Sequence, residues 1–168
     1  MVEVTRTFVE MRDPLQLKRK NLPDGDAKFV RCRPCPVAHY RELYRRVGEH
    51  WHWKDRNVWT DEALAENLSK PNVHVWELRV GDELAGYFEL EEQDGPVVEI
   101  VYFGLTLAFI GQGYGGAMLT RAVDEAWALG PKTVWLHTCT LDSPKALPNY
   151  EARGFVRTGK IEKYVVQI

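Results

Sequence analysis

The chain has 168 residues, 45% hydrophobic and 27% charged, with 22 Lys and Arg against 24 Asp and Glu. That length suits one domain with a sizeable core, and 6 Trp, 7 Tyr and 6 Phe exclude a low-hydrophobicity disordered chain. A net charge of -2 argues against an electrostatic nucleic-acid binder, and three cysteines are too few for a disulfide scaffold, so a reducing, cytoplasmic setting is expected.

Val2 to Met11 alternates apolar and polar residues and predicts a strand. Met1 to Asp13 mixes Glu3, Arg6, Glu10 and Arg12 among its apolar residues, so it lacks the apolar stretch of a signal peptide. Asp13 to Gly25, with Lys18-Arg19-Lys20 and Pro23, reads as a solvated connector holding one helical turn. Phe29 to Cys32 predicts a short strand. Pro36 suits the first position of a helix running to about Val47, with Tyr40, Leu43, Tyr44 and Val47 on one face. A second helix starts near Thr60, where Asp61 and Glu62 favour an N-terminus, and Leu64 and Leu68 form its inner stripe.

From Asn72 the period changes. Val73 to Leu78, Leu84 to Leu90 and Val97 to Phe103 predict three strands joined by turns at Gly81-Asp82 and Gln93 to Pro96, an antiparallel meander. The most apolar run, Ile100 to Gly111, falls short of the ~18–20 residues needed to span a bilayer. Tyr114 to Leu129 predicts a helix that buries Met118, Ala122, Val123, Ala126 and Leu129, and Gly130-Pro131 stops it. Thr133 to Cys139 is β-branched and apolar, hence a strand. Pro144 to Arg153 predicts a helix, and Phe155 to the end one or two closing strands. The order implies an α+β sheet with a single strand–helix–strand crossover, not a repeated βαβ array.

Gly111-Gln112-Gly113-Tyr114-Gly115-Gly116 joins a buried strand to a strong helix. Glycines there permit positive φ and close approach of a ligand, and the helix N-terminus favours an anion such as pyrophosphate. The plainer alternative is a turn that only manages tight entry into the helix. The string also satisfies G-x-G-x-x-G, but no acidic residue follows at the tip of the next strand to hold a ribose, and no Gly-Lys-Ser/Thr makes a Walker A loop.

Glu99 to Phe155 resembles the acetyl-CoA-binding core of the GNAT (GCN5-related N-acetyltransferase) superfamily. The family pattern Arg/Gln-x-x-Gly-x-Gly/Ala falls on Ile110 to Gly115, and its Asn…Ala…Tyr-x-x-x-Gly-Phe element on Ser143, Ala146, Tyr150, Gly154 and Phe155. Ile110 replaces the Arg or Gln, so the backbone N–H groups of the turn must hold the phosphate, with Gln112 as an added donor. Ser143 replaces the Asn. The resemblance implies a mixed, mostly antiparallel central sheet flanked by helices, with one strand–helix–strand crossover that binds CoA. Residues 1–168 would form a single domain, 1–70 supplying N-terminal strands and acceptor-side helices and 72–168 the meander and cofactor core.

It also implies transfer of an acetyl group from acetyl-CoA to a primary amine of a small molecule or peptide by direct attack, with no metal, no nucleic acid and no membrane, and it leaves room for a homodimer. Tyr150 matches the family's general acid. A free phenol near pKa 10 against a thiol near about 8.5 makes it a hydrogen-bond donor to the departing thiolate rather than a strong acid. Glu99 interrupts Val97-Val98-Glu99-Ile100-Val101 and is either a base with a raised pKa or a surface carboxylate on the open face. The oxyanion donor is expected from backbone near Leu105, and the 3′-phosphate partner from Arg153 or Lys145. Rival readings are a non-catalytic acyl-CoA sensor and a nucleotide-dependent oxidoreductase.

Trp51, Trp53 and Trp59 fall where GNAT proteins line the acceptor site, or else cap the core beneath a loop. His50 and His52 alone do not make a metal site. Cys32-Arg33-Pro34-Cys35 with His39 supplies three of the four ligands a structural zinc needs, so the cysteines read as plain thiols. Cys139 has no evident His partner and is not expected to be a nucleophile.

Overall fold

The computed structural model describes residues 1–168. Its N-terminal elements are β1 (Val2–Met11), β2 (Ala27–Arg31), α1 (Val37–Gly48) and α2 (Asp61–Ser69). A meander of β3 (Val73–Val80), β4 (Glu83–Gln93) and β5 (Val97–Leu105) follows. Then come α3 (Tyr114–Ala128), β6 (Thr133–Cys139), α4 (Ala146–Ala152) and β7 (Val156–Val166). Pro36, expected as the first helical residue, sits one position earlier at the N-cap of α1, whereas the Thr60 side chain accepts from Ala63 N at the start of α2. No helix is long and apolar enough to cross a membrane.

All seven strands form one sheet, ordered β2-β3-β4-β5-β6-β1-β7. Only β5 and β6 are parallel, and α3 is the crossover between them. The fold is therefore α+β and mostly antiparallel, as expected. One sheet face packs on α3: Met118, Leu119, Ala122, Val123 and Ala126 meet Phe88, Leu90, Val98, Ile100, Val134 and Leu136 in an 18-residue core. The opposite face of β3 and β4 packs on α1 and α2 through Tyr40, Leu43, Tyr44, Val47 and Leu64 against Val75, Leu84 and Tyr87. Strand alternation sends Val98 and Ile100 into the α3 core, so Glu99 points to the other face.

β1 is an inner strand of the sheet: it lies between β6 and β7, pairing Arg6 with Cys139 on one side and Val2 with Val166 on the other. The closing segment is a single strand, β7, whose sole neighbour is β1. One feature departs from the expectation: the connector after β1 is not simply solvated. Asp13 and Gln16 close a capping box around one helical turn, after which the chain is tied across two helices. Lys18 N donates to Arg153 O at 2.8 Å, Lys20 N to Thr120 Oγ1 at 3.0 Å, and Arg19 makes two hydrogen bonds to Asp124.

Candidate active site

The parallel pairing of β5 with β6 ends after three positions, at Glu99 and Trp135. Beyond that point the strands part, and the edge of β5 from Ile100 to Leu105 faces a cleft of about 570 Å³, with Leu136, His137 and Cys139 on the other wall. A bulge assists the parting: Ile100 pairs with Leu90 and Tyr102 with Glu89, so Val101 is an extra residue on β5. Backbone groups along this edge lack a strand partner and are open to a ligand. Because β1 is wedged beside β6, Arg6 and Tyr164 also border the cleft.

At one end lies the glycine turn. Gly111 and Gly113 have φ of 81° and 92°, the left-handed region that side chains resist, and Gly113 caps α3 with no side-chain hydrogen bond. The first N–H groups of α3 are thus uncapped. A Cβ on Gly116 would stand 2.6 Å from both Arg153 Nη1 and Lys20 Cδ, and one on Gly111 would stand 3.3 Å from Lys145 Nζ. Three cations therefore gather around a bare helix N-terminus, and Arg153 Nε is buried there with no partner. Lys20 was not identified from the sequence, because only the folded connector brings it to α3. Gly154, φ 111°, leaves no room for a Cβ beside the Gln16 carbonyl, so it admits that connector.

The expected cofactor residues divide. Leu105, Ile110, Gly111, Gly113, Gly115, Gly116, Ser143 and Ala146 border the cleft. Gln112 and Tyr114 do not: the Gln112 amide donates to the Ala108 carbonyl, and the Tyr114 ring is buried edge-on against Phe109 at 5.6 Å. Arg153 reaches the site only through its guanidinium at Gly116. Asn149, not singled out from the sequence, lines the cleft beside Gly115.

Tyr150 also borders the cleft, held edge-on between Phe103 and Phe155 at 5.9 and 6.3 Å. Burial pushes its phenol well above the usual value, with the Asp142 charge adding to the effect, so it stays protonated and able to donate. Glu99 lies just outside the cleft wall. Its carboxylate accepts from Gln93 Nε2 at 2.8 Å, and Glu99 Oε2 is 3.9 Å from His137 Nε2. Burial raises the Glu99 pKa against the Gln93 hydrogen bond, helped by the charges of Glu91 and Glu89. His137 itself lines the cleft. Burial, and then the Arg6 charge, hold its pKa below 6.5, so the ring is neutral near pH 7. The signal for it was available: Trp135, His137 and Cys139 share one face of a period-2 strand.

At the other end are the aromatic residues. Trp51 and Trp53 line the cleft with Tyr44, Tyr102 and Asp55. Trp53 lies 5.1 Å from Tyr102 and 5.7 Å from Tyr44, in space that Gly48 leaves open. His52, the one non-glycine residue with positive φ (61°), turns the chain between the two tryptophans. Trp59 is placed elsewhere: it lies 4.4 Å under the Arg56 guanidinium, behind the cleft wall. Arg56 in turn bonds Glu89 at 2.9 Å and the Tyr40 hydroxyl at 3.1 Å, and its backbone N–H donates to the Tyr44 hydroxyl. The aromatic loop is thereby anchored to α1 and β4. A cleft with an anion cradle at one end, a neutral imidazole and a phenol midway and an aromatic mouth at the other can hold a long phosphorylated ligand against a small nucleophile.

The sequence model described as the acetyltransferase (GNAT) family matches residues 37–155. Among curated proteins, none matches the chain. Several solved structures share the fold. A GCN5-related N-acetyltransferase from Kribbella flavida superposes with a TM-score of 0.69 at 14% identity, over 95% of this chain and 56% of its own. This chain thus spans little more than half of that protein. An aminoglycoside acetyltransferase from an uncultured soil metagenomic sample, solved with trehalose, gives 0.64 at 19% identity over 85% of this chain and 94% of its own. The ribosomal-protein-S18-alanine N-acetyltransferase of Escherichia coli gives 0.59 at 16% identity over 76% of each chain.

Proposed function

The chain belongs to the acetyltransferase (GNAT) family, and from that premise we propose that it moves an acetyl group from acetyl-CoA to a primary amine of a small molecule or peptide in the cytoplasm, by direct attack. The observation that carries this reading is the parted β5–β6 pair, with the glycine turn and three cations at one end and the aromatic mouth at the other.

The residues present fit the cofactor. The absence of a Cβ at Gly116 lets Lys20 and the Arg153 guanidinium lie against the start of α3, and the unpartnered Arg153 Nε is a donor in need of an anion. Backbone N–H groups from Gly111 to Gly116, with Lys20, Lys145 and Arg153, would hold its phosphates, and the open edge of β5 near Leu105 would hold its pantetheine arm. When bound, acetyl-CoA supplies the activated acyl group.

The chain's own residues do the rest. The faces of Trp51, Trp53 and Tyr102, with the Asp55 carboxylate, attract a protonated amine and orient it. His137, neutral near pH 7, accepts the proton the amine must lose, and Glu99 behind it stabilises the resulting imidazolium. Tyr150 keeps its proton and donates a hydrogen bond to the leaving sulfur. Glu99, expected from the sequence as the base, acts in this scheme through His137.

Thiol release from acetyl-CoA across a panel of amines tests the proposal. Amine-dependent release is expected, and intact mass without amine should show no acetyl adduct. No turnover with any amine, together with a melting shift by NAD and none by acetyl-CoA, would overturn the substrate assignment. An acetyl adduct would overturn direct attack.

A further inference from the structure

Two thiols, an imidazole and a carboxylate converge behind α1, outside the cleft. Cys32 and Cys35 belong to the connector between β2 and α1, His39 to the first turn of α1, and Glu77 to the middle of β3. The donor atoms of Cys32, His39 and Glu77 all lie within 4.8 Å of one another, and Cys35 Sγ is 2.8 Å from Cys32 Sγ.

The local structure explains the meeting. Cys32 N donates to Val75 O at 2.9 Å, which fixes the connector beside β3. The C-x2-C spacing turns both thiols to one side. His39, four residues beyond Cys35, lies in the first turn of α1. Along the chain only these three donors are close; the fourth comes from the sheet. Glu77 is 4% exposed, and its two oxygens have separate tasks. Arg79 holds Oε1 at 2.6 Å, while Oε2 faces His39 Nε2 at 2.8 Å.

We propose that Cys32, Cys35, His39 and Glu77 bind one zinc ion in a structural site that clips the β2–α1 connector to β3. Thiolate and imidazole donors select zinc over magnesium or calcium, and one carboxylate oxygen completes a tetrahedron. Arg79 is the outer partner that orients the carboxylate, and its charge offsets the one negative charge by which two thiolates and one carboxylate exceed the metal. Binding breaks two S–H bonds, forms two Zn–S bonds and releases two protons. With Zn–S near about 2.3 Å the sulfurs stand roughly 3.7 Å apart, so the hydrogen bond between the thiols opens as the metal enters. The half-exposed His39 ring leaves a route from solvent. Closing the clip would steady α1, which carries Tyr44 to the cleft.

The test is the metal content of the full chain, purified under reducing conditions with zinc sulfate and freed of excess by gel filtration. About one zinc per chain is expected, competing with a chromophoric chelator, with binding weakened by more than about 100-fold in Cys35→Ser and in His39→Gln, since loss of an outer partner alone costs about 10–100-fold. Zinc at 100-fold above its Kd should raise the melting temperature of the wild type by about 5–10 °C. Circular dichroism of the variants separates lost metal from lost fold, and His39→Gln, at a half-exposed position, keeps the test open if the thiol variant is unstable. A wild-type chain with no zinc overturns the site, whether its thiols stay free or its mass falls by two hydrogens on forming a disulfide. Full zinc retention by a folded Cys32→Ser/Cys35→Ser chain overturns it equally.

Discussion

Arg56 and Glu89 form the one ion pair of this protein in which both partners are buried, with side chains 8% and 0% exposed and 2.9 Å between Nη2 and Oε2. The Tyr40 hydroxyl donates to the other Glu89 oxygen at 2.6 Å, so the carboxylate is fully engaged. Burial pushes its pKa up while Arg56 opposes the rise. The pair joins the aromatic loop to the centre of the sheet, and so places Trp51 and Trp53 at the cleft. Glu89→Ala would leave the Arg56 charge buried and alone, a loss of about 3–5 kcal/mol. A melting temperature lower by roughly 10 °C is expected by calorimetry. A variant that melts within a degree or two of the wild type would show that Arg56 finds water instead.

In the proposed reaction His137 sets the pH response. Its folded pKa is depressed below 6.5, so the neutral ring dominates above that value and is lost as pH falls through the folded pKa. The kcat/KM profile should be flat near pH 7 and decline on the acid side. His137→Gln should lower kcat by about 100-fold and remove that acid limb. Stability has the same sign, because between the two pKa values the unfolded chain binds more protons than the folded one. An acid limb that survives in His137→Gln would assign the titration to another group.

Tyr150→Phe keeps the ring contacts with Phe103 and Phe155 and removes only the donor. A fall in kcat of about 10–100-fold is expected, with KM for acetyl-CoA nearly unchanged. Equal losses in kcat and cofactor affinity would instead mark Tyr150 as a binding residue.

The cation cradle gives a prediction on KM. Gly116→Ala sets a methyl group against Arg153 and Lys20, and Lys20→Ala removes one cation outright. Each should raise KM for acetyl-CoA by about 10-fold, the scale of one charge-assisted hydrogen bond, while kcat changes little. Lys20→Ala should also weaken the salt dependence of KM.

Much of this architecture was legible in order along the chain. The meander, the α3 stripe and the stop at Gly130-Pro131 are local signals, and the glycine turn marks its own place. What stayed hidden depends on contacts between distant segments. Nothing in the alternation of Val2 to Met11 says that β1 enters between β6 and β7. Lys20 reads as one of three solvated charges until the connector is bound to Thr120. Trp59 differs from Trp51 and Trp53 only because Arg56 covers it, and Arg56 is buried only because Glu89 waits on β4. The resemblance offers Gln112 as an added donor, but its amide donates to the nearby Ala108 carbonyl.

The seat of β1 has a kinetic consequence. β1 pairs with β6 and β7, which lie more than 100 residues further along the sequence, and β7 has no other strand to join. Contacts so far apart in sequence close the largest loops in the chain before any reward, which slows folding. The meander and α1 hold mainly local contacts and can assemble early, whereas the wall of the cleft that includes Arg6 and Tyr164 waits for β1 to meet β7. Refolding followed by tryptophan fluorescence should therefore run ahead of the recovery of catalysis.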